Sequence, residues 1–223
     1  MLFGLACEGV TDQITIENIL CGYFGNPDLD QDITELQPPF DETDRKQGNG
    51  GWPMLLKYLT SSTFRDDVLN TEFIVLQIDS DIAGKLGVAH KDLSGNELSP
   101  ERVISGVRTQ LIESINTGVS GFYELHAPKI IFAICVHSLE CWLVAHHAEQ
   151  SVIHDCFDVL KTAINPTLIR VTKKQKNYDQ LSKPFLDRIN IDAAAEKDPS
   201  FRVFIQALAS IEEQVYRLRG IDS

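Results

Sequence analysis

Positive charge is scarce in this chain. Its 223 residues hold 20 lysines and arginines against 32 aspartates and glutamates, a formal net charge of −12. Bulk electrostatic attraction is therefore excluded as the sole basis for binding nucleic acid. Such a ligand needs a local basic patch, metal ions or a partner protein. No apolar run approaches the length of a membrane span. The opening MLFGLACEG has no basic n-region, and its apolar run is too short for a signal segment. Five cysteines (Cys7, Cys21, Cys135, Cys141, Cys156) include no C-x-x-C pair, and Cys7 and Cys135 sit in apolar runs. Reduced thiols in a core are the expectation. There is no internal repeat, no low-complexity tail and no G-x-x-x-x-G-K-[ST] stretch. These absences lead to the expectation of a soluble cytoplasmic protein.

What is present is 43% hydrophobic residues, enough for one sizeable α/β domain. Leu2 to Cys7 reads as a buried strand ending at Glu8-Gly9. Thr11 or Asp12 can cap a following helix that runs to about Tyr23. Ile33 to Leu36 reads as a short second strand. A helix is expected from Trp52 or Pro53 to Leu59, and Phe73 to Ile78 is the clearest strand in the chain. Ala83 to Ser99 reads as loop. Ser99 can cap a helix from Pro100 to about Asn116, with Val103, Val107, Leu111 and Ile115 at helical spacing. Ile130 to Val136 is another buried strand, running into a helix that opens at Ser138. Further helices are expected near 150–164, 176–189 and 199–218. Continuous apolar strands alternating with helices predict a parallel sheet covered on both faces. The expected division is an α/β core over 1–150 and a helical C-terminal extension over 151–223 packed on it.

Ligands of open parallel sheets bind beyond the carboxyl ends of the strands. Glu8 lies just past the first strand, and Asp79 and Asp81 end the strand that begins near Phe73. In extended backbone the two aspartates share one side and Ser80 takes the other. Gly9 permits a tight turn and a close backbone approach. Three carboxylates brought together repel one another unless protons or a cation neutralise them. A hard divalent ion, Mg²⁺ or Mn²⁺, fits oxygen donors of this kind. Bound there, it would polarise a phosphoryl oxygen and activate water, leaving Glu8 as general base or acid or as a further ligand. Taken singly, E-G and D-x-D also read as a helix-start acid and a polar turn.

Strand–Glu8-Gly9-x-Thr11-Asp12–helix followed by strand–Asp79-x-Asp81 resembles the Toprim fold. That fold occurs in topoisomerases, bacterial primases and the overcoming-lysogenization-defect nucleases. The resemblance extends to small stand-alone bacterial Toprim-like proteins through Gly50-Gly51-Trp52, His137-Ser138-Leu139-Glu140-Cys141-Trp142-Leu143 and Asp198-Pro199-Ser200-Phe201. It implies a Rossmann-like parallel sheet and Mg²⁺-dependent phosphodiester hydrolysis on DNA or RNA, in a bacterial defence setting. It also implies a separate ATPase or other defence protein as partner, since this chain has no ATPase motif, and leaves room for a homo-oligomer. No membrane partner is implied. The chain departs from the nuclease pattern in its acidity and lacks a placeable topoisomerase-type tyrosine.

Glu140 follows a buried strand at the same edge and reads either as a fourth acid of the site or as a helix-start glutamate favoured by the dipole. Lys173, Lys174 and Lys176, with Arg170, Lys183, Arg188 and the interleaved Tyr178, form the densest basic stretch. It reads as phosphate contact or as a solvated helix face, and Lys183 is the expected catalytic cation. His137, His146, His147 and His154 fit no ordinary zinc spacing, and no cysteine pair completes them. Gly48-Asn49-Gly50-Gly51 is a weak candidate phosphate cradle. Two rivals to the nuclease remain: a non-catalytic Toprim-like subunit that binds an ATPase or other defence protein, and a nucleotide- or sugar-phosphate-handling transferase.

Overall fold

The computed structural model describes residues 2–39, 51–150, 152–165, 169 and 171–220. Four strands, β1 (Phe3–Ala6), β2 (Ile33–Gln37), β3 (Phe73–Asp79) and β4 (Ile130–Cys135), form one sheet in the order β2-β1-β3-β4. All three pairings are parallel, with Phe3 opposite Ile33 and Phe73, and Ile74 opposite Ile130. The fold is therefore α/β with a Rossmann-like parallel sheet.

Alternation along the strands splits the core in two. Phe3, Leu5, Phe73, Val75, Ile131 and Ala133 join one hydrophobic cluster, while Ile74, Leu76, Ile78, Ile130 and Ile134 join the other. Period-two side chains on a sheet buried on both faces require this division. The first face is covered by α1 (Val10–Tyr23), α6 (Glu140–His147), α7 (Cys156–Ala163), α8 (Gln175–Ser182), α9 (Arg188–Lys197), α10 (Pro199–Ala209) and α11 (Glu212–Arg219). The second face is covered by α2 (Trp52–Leu59), α3 (Ser62–Asn70), α4 (Pro100–Gly118) and α5 (Phe122–His126). Residues 171–220 thus share one hydrophobic cluster with the sheet.

Strand order places the site. From β1 the chain moves outward to β2, then crosses back to β3 on the other side of β1. The connections after β1 and β3 lie on opposite faces, leaving a crevice between these two strand ends, the topological switch point where open sheets bind ligands.

Several local expectations are corrected. Gly9 is the N-cap of α1, with no side-chain cap, so Thr11 and Asp12 lie inside its first turn. Ser99 stands at the start of α4, but its hydroxyl makes no cap bond. The first residues of the expected loop at 83–99 belong instead to a 3₁₀ turn over Ser80–Leu86. The helix expected over 176–189 ends at Ser182. Pro184 falls in the next turn, and Asp187 caps α9 by accepting from the Ile189 N–H at 2.9 Å. The helix expected over 199–218 is two, α10 and α11. The short helices α3 and α5 carried no sequence signal strong enough to mark them.

Cys141 and Cys156 form a disulfide with Cα atoms 5.0 Å apart, which corrects the expectation of five reduced thiols. The packing of α6 against α7 brings these two distant positions together. Cys7, Cys21 and Cys135 are free and buried. Among the described residues no helix is long and apolar enough to cross a membrane. Gly48, Asn49, Gly50 and Arg170 lie outside the described residues.

Candidate metal centre at the carboxyl edge of the sheet

Glu8 leaves the end of β1, and its backbone is tied into the edge. Its N–H donates to Gln77 Oε1 at 3.1 Å, and its carbonyl accepts from the Gly51 N–H at 2.7 Å. Its carboxylate meets the N–H of Asp79 at 3.4 Å and the backbone of Trp52 at the start of α2. The passage Gly51-Trp52 is thus placed beside Glu8, with the Gly51 N–H already engaged.

Asp79 is the last residue of β3. Its Oδ1 accepts from Gln77 Nε2 at 3.0 Å and from the Leu139 N–H at 3.0 Å. The second bond fastens the loop after β4 to the end of β3. Asp81 has left extended backbone for the 3₁₀ turn, so simple strand alternation does not place it. Its N–H instead donates to the His137 carbonyl at 3.0 Å. Ser80 turns inward as expected, fully buried, and its Oγ accepts from the His137 N–H at 2.8 Å.

Glu140 opens α6 and is buried at 5% exposure. It accepts a short hydrogen bond from Tyr178, and Lys173 Nζ stands 3.7 Å from its Oε1. Burial pushes the Glu140 carboxyl up, but the Tyr178 and Ser138 hydrogen bonds and Lys173 outweigh it, so Glu140 titrates below its usual range.

Asp12 is the residue that the sequence reading did not assign to the site. With α1 beginning at Val10, Asp12 faces Glu8 and Glu140. A Cβ on Gly9 would come within 2.8 Å of Asp12 Oδ2. Gly9 has ordinary extended backbone, φ −142°, so close approach rather than turn geometry accounts for the glycine. The only sequence signal for Asp12 is its distance of about one helical turn from Glu8.

Five carboxylates therefore converge from three strand ends and one helix start. Burial, then Glu140 and Glu8, raise Asp12 to about 8. Burial raises Asp79 well above the carboxylate range, reinforced by Asp12, Glu140, Glu8 and Asp81. Glu8 is raised by burial and by Asp81. An unpaired buried charge costs several kcal/mol, about as much as one or two buried apolar side chains return. Protons, or a cation toward which these carboxylates drew together, would relieve that cost. The cluster's donors are all carboxylate oxygens, the set suited to Mg²⁺ or Mn²⁺.

Among the described residues, Lys173 is the one lysine or arginine with an ion pair to this cluster. Lys183, the cation expected from sequence, is exposed; its backbone N–H donates to the Asp179 carbonyl at the end of α8, and its side chain has no ion pair among the described residues. It belongs to the turn that packs its Phe185 carbonyl against Gly22, about 15 Å further along α1 than Asp12. Arg188 stacks over Tyr23 and pairs with Asp192 at 2.9 Å, also away from the cluster. Lys174 and Lys176 are exposed on α8 and its cap. Tyr178 serves Glu140 rather than a basic face.

The cluster opens into a cavity of about 360 Å³ lined by Asp79, Asp81, Glu140 and Lys173 on one side and by His137 and His154 on another. His137 has φ +65°, stacks with His90 at 5.0 Å and lies 4.0 Å from the His154 ring. Burial and these two rings lower it to about 4, so it is neutral at physiological pH. His146 and His147 serve packing, the latter with a ring nitrogen 2.7 Å from the Leu181 carbonyl.

Trp142 stacks on Phe201 at 4.8 Å, and its indole N–H donates to Ser200 Oγ at 2.8 Å. Asp198 caps α10 through the N–H groups of Ser200 and Phe201. Two of the passages that carry the resemblance therefore meet here as a structural joint. Comparison with family models, with curated proteins and with solved structures finds no match.

Proposed function

We propose that this chain is a Toprim-like, metal-dependent nuclease that hydrolyses phosphodiester bonds in DNA or RNA, with a place in bacterial defence. The observation that carries the reading is the convergence of Glu8, Asp12, Asp79, Asp81 and Glu140 at the β1/β3 switch point, with Lys173 as their one paired cation among the described residues. Asp79, Asp81, Glu8 and Glu140 would hold Mg²⁺ or Mn²⁺, which supplies charge neutralisation on a phosphoryl oxygen and a more acidic bound water.

The chain's own groups divide the remaining work. Gln77 and the Leu139 N–H fix the Asp79 carboxylate. Tyr178 and Lys173 keep Glu140 ionised. Glu8, whose carboxyl burial makes a stronger proton acceptor, suits proton acceptance from an attacking water. Lys173 is exposed at the cavity wall, within reach of a phosphate. The cavity volume suits a nucleotide-sized segment.

Cleavage of labelled DNA and RNA with Mg²⁺ or Mn²⁺, compared between the natural chain and Asp79→Asn, tests the reading. Loss of metal-dependent cleavage supports it, and unchanged cleavage refutes it. The net charge of −12 favours one rival, a non-catalytic Toprim-like subunit that docks on a basic partner such as an ATPase. Calorimetry showing no Mg²⁺ or Mn²⁺ binding would select that rival.

A further inference from the structure

We propose that Glu97, His137 and His154 form a second metal site, selective for a divalent transition ion of the zinc type, with His137 and His154 also lining the cavity beside the acidic cluster. It is separate from the acidic cluster and does not depend on the nuclease reading. One ligand atom from each residue lies within 4.8 Å of the other two. Zn–N and Zn–O bonds of about 2.0–2.1 Å place tetrahedral ligands about 3.3 Å apart. Each donor would move inward by less than about 1 Å, which side-chain rotation supplies.

The three ligands come from separate segments, and each segment is anchored. Glu97 sits beside a bridge to Lys91, and the neighbouring Leu98 N–H donates to the His90 carbonyl at 2.7 Å. His137 is held in the left-handed region, unusual for a residue with a side chain. Its N–H is bound by Ser80 Oγ and its carbonyl by the Asp81 N–H. His154 lies two residues before Cys156, whose disulfide to Cys141 ties this segment to the helix following His137.

Donor chemistry separates this site from the acidic cluster. Two imidazoles and one carboxylate form a borderline set that favours Zn²⁺ or Co²⁺ over Mg²⁺. The neighbouring His90 is not available as a fourth ligand through Nε2. That nitrogen lies 2.6 Å from the Ser80 carbonyl, which only accepts, so it carries a proton. The competing partner of Glu97 is Lys91 at 3.3 Å. Both side chains are well exposed, and such surface pairs yield readily to a metal. Three protein ligands leave coordination positions open for water or a further ligand.

The test is calorimetry and visible absorption with Co²⁺, without reductant and with excess Mg²⁺ occupying the acidic cluster. The natural chain is expected to bind one Co²⁺ saturably, with Zn²⁺ displacing it. Glu97→Gln and His154→Ala should each weaken Co²⁺ binding by about tenfold or more, with circular dichroism unchanged. Asp79→Asn should leave it unaltered. Absence of saturable Co²⁺ binding would overturn the proposal. So would unchanged affinity in both Glu97→Gln and His154→Ala, or loss in Asp79→Asn with retention in His154→Ala. A parallel Mg²⁺ titration of Asp79→Asn reports on the acidic cluster alone, so failure of either site is read separately.

Discussion

Gln77 donates its side-chain amide to the carboxylate of Asp79, two residues on in the same strand, at 3.0 Å. The same amide accepts from the Glu8 N–H, so one buried side chain aligns the ends of β1 and β3. Gln77→Leu keeps the volume and removes these two bonds and the weaker one to Cys135 Sγ. It is expected to cost about 1–3 kcal/mol, the usual effect of leaving buried polar groups unpaired. Urea melts measure that loss, and calorimetry should show Mg²⁺ binding weakened in the same variant.

Asp79→Asn keeps the shape and the acceptor oxygen while removing charge from the centre of the cluster. Metal-dependent cleavage should fall on the order of a hundredfold or more. Metal-free thermal stability should not fall, since burial and the neighbouring acids already favour the neutral form of Asp79.

Asp12 supplies a pH signature. Its folded value of about 8 stands above the ordinary 3.8, so between these limits the folded chain holds a proton that the unfolded chain releases. Its contribution to stability is complete below about pH 4 and is lost as pH rises toward 8. Without divalent ions the melting temperature should therefore decline across this window. Added Mg²⁺ should raise it at pH 8 and do little at pH 4, as differential scanning fluorimetry can record. Asp12→Asn should flatten the metal-free decline.

Lys173 and Lys183 belong to one basic stretch, and their places in the fold predict different effects. Lys173→Ala should lower cleavage by about tenfold, the scale of one charged contact to a phosphate or to its ligand shell. Lys183→Ala should leave cleavage unchanged, because its turn packs on the far part of α1. Steady-state rates for the two variants decide between them.

Trp142→Phe retains stacking on Phe201 but removes the indole N–H that reaches Ser200. A loss of about 1 kcal/mol is expected in denaturant melts, with metal binding preserved.

Strands β1, β3 and β4 were legible because each is a nearly unbroken apolar run, as in Phe73–Ile78 before Asp79, whereas β2 (ITELQ) carries only a weak signal. Reading strand ends as one edge brought Glu8, Asp79, Asp81 and Glu140 together, and it required no side-chain detail. Asp12 stayed hidden because an acid in a first helical turn has an ordinary explanation in the dipole. Gln77 did leave a signal, as the single polar residue inside β3. The ion pair of Lys173 with Glu140 was not legible, because it depends on the path of the segment before α8. The meeting of Glu97, His137 and His154 depends on loop paths, and the Cys141–Cys156 bond depends on the packing of two helices. Neither leaves a spacing in the sequence.

Strand order also dictates when the acidic centre comes into being. Its members stretch from position 8 to position 140, and no two of the three strand ends that carry them meet until non-local parallel pairing is complete. Pairing of that kind is slow, because loop closure precedes any gain from contact. Carboxylate repulsion therefore arises only as these strands pair, and divalent ions in the medium should ease that pairing, as refolding rates with and without Mg²⁺ can show.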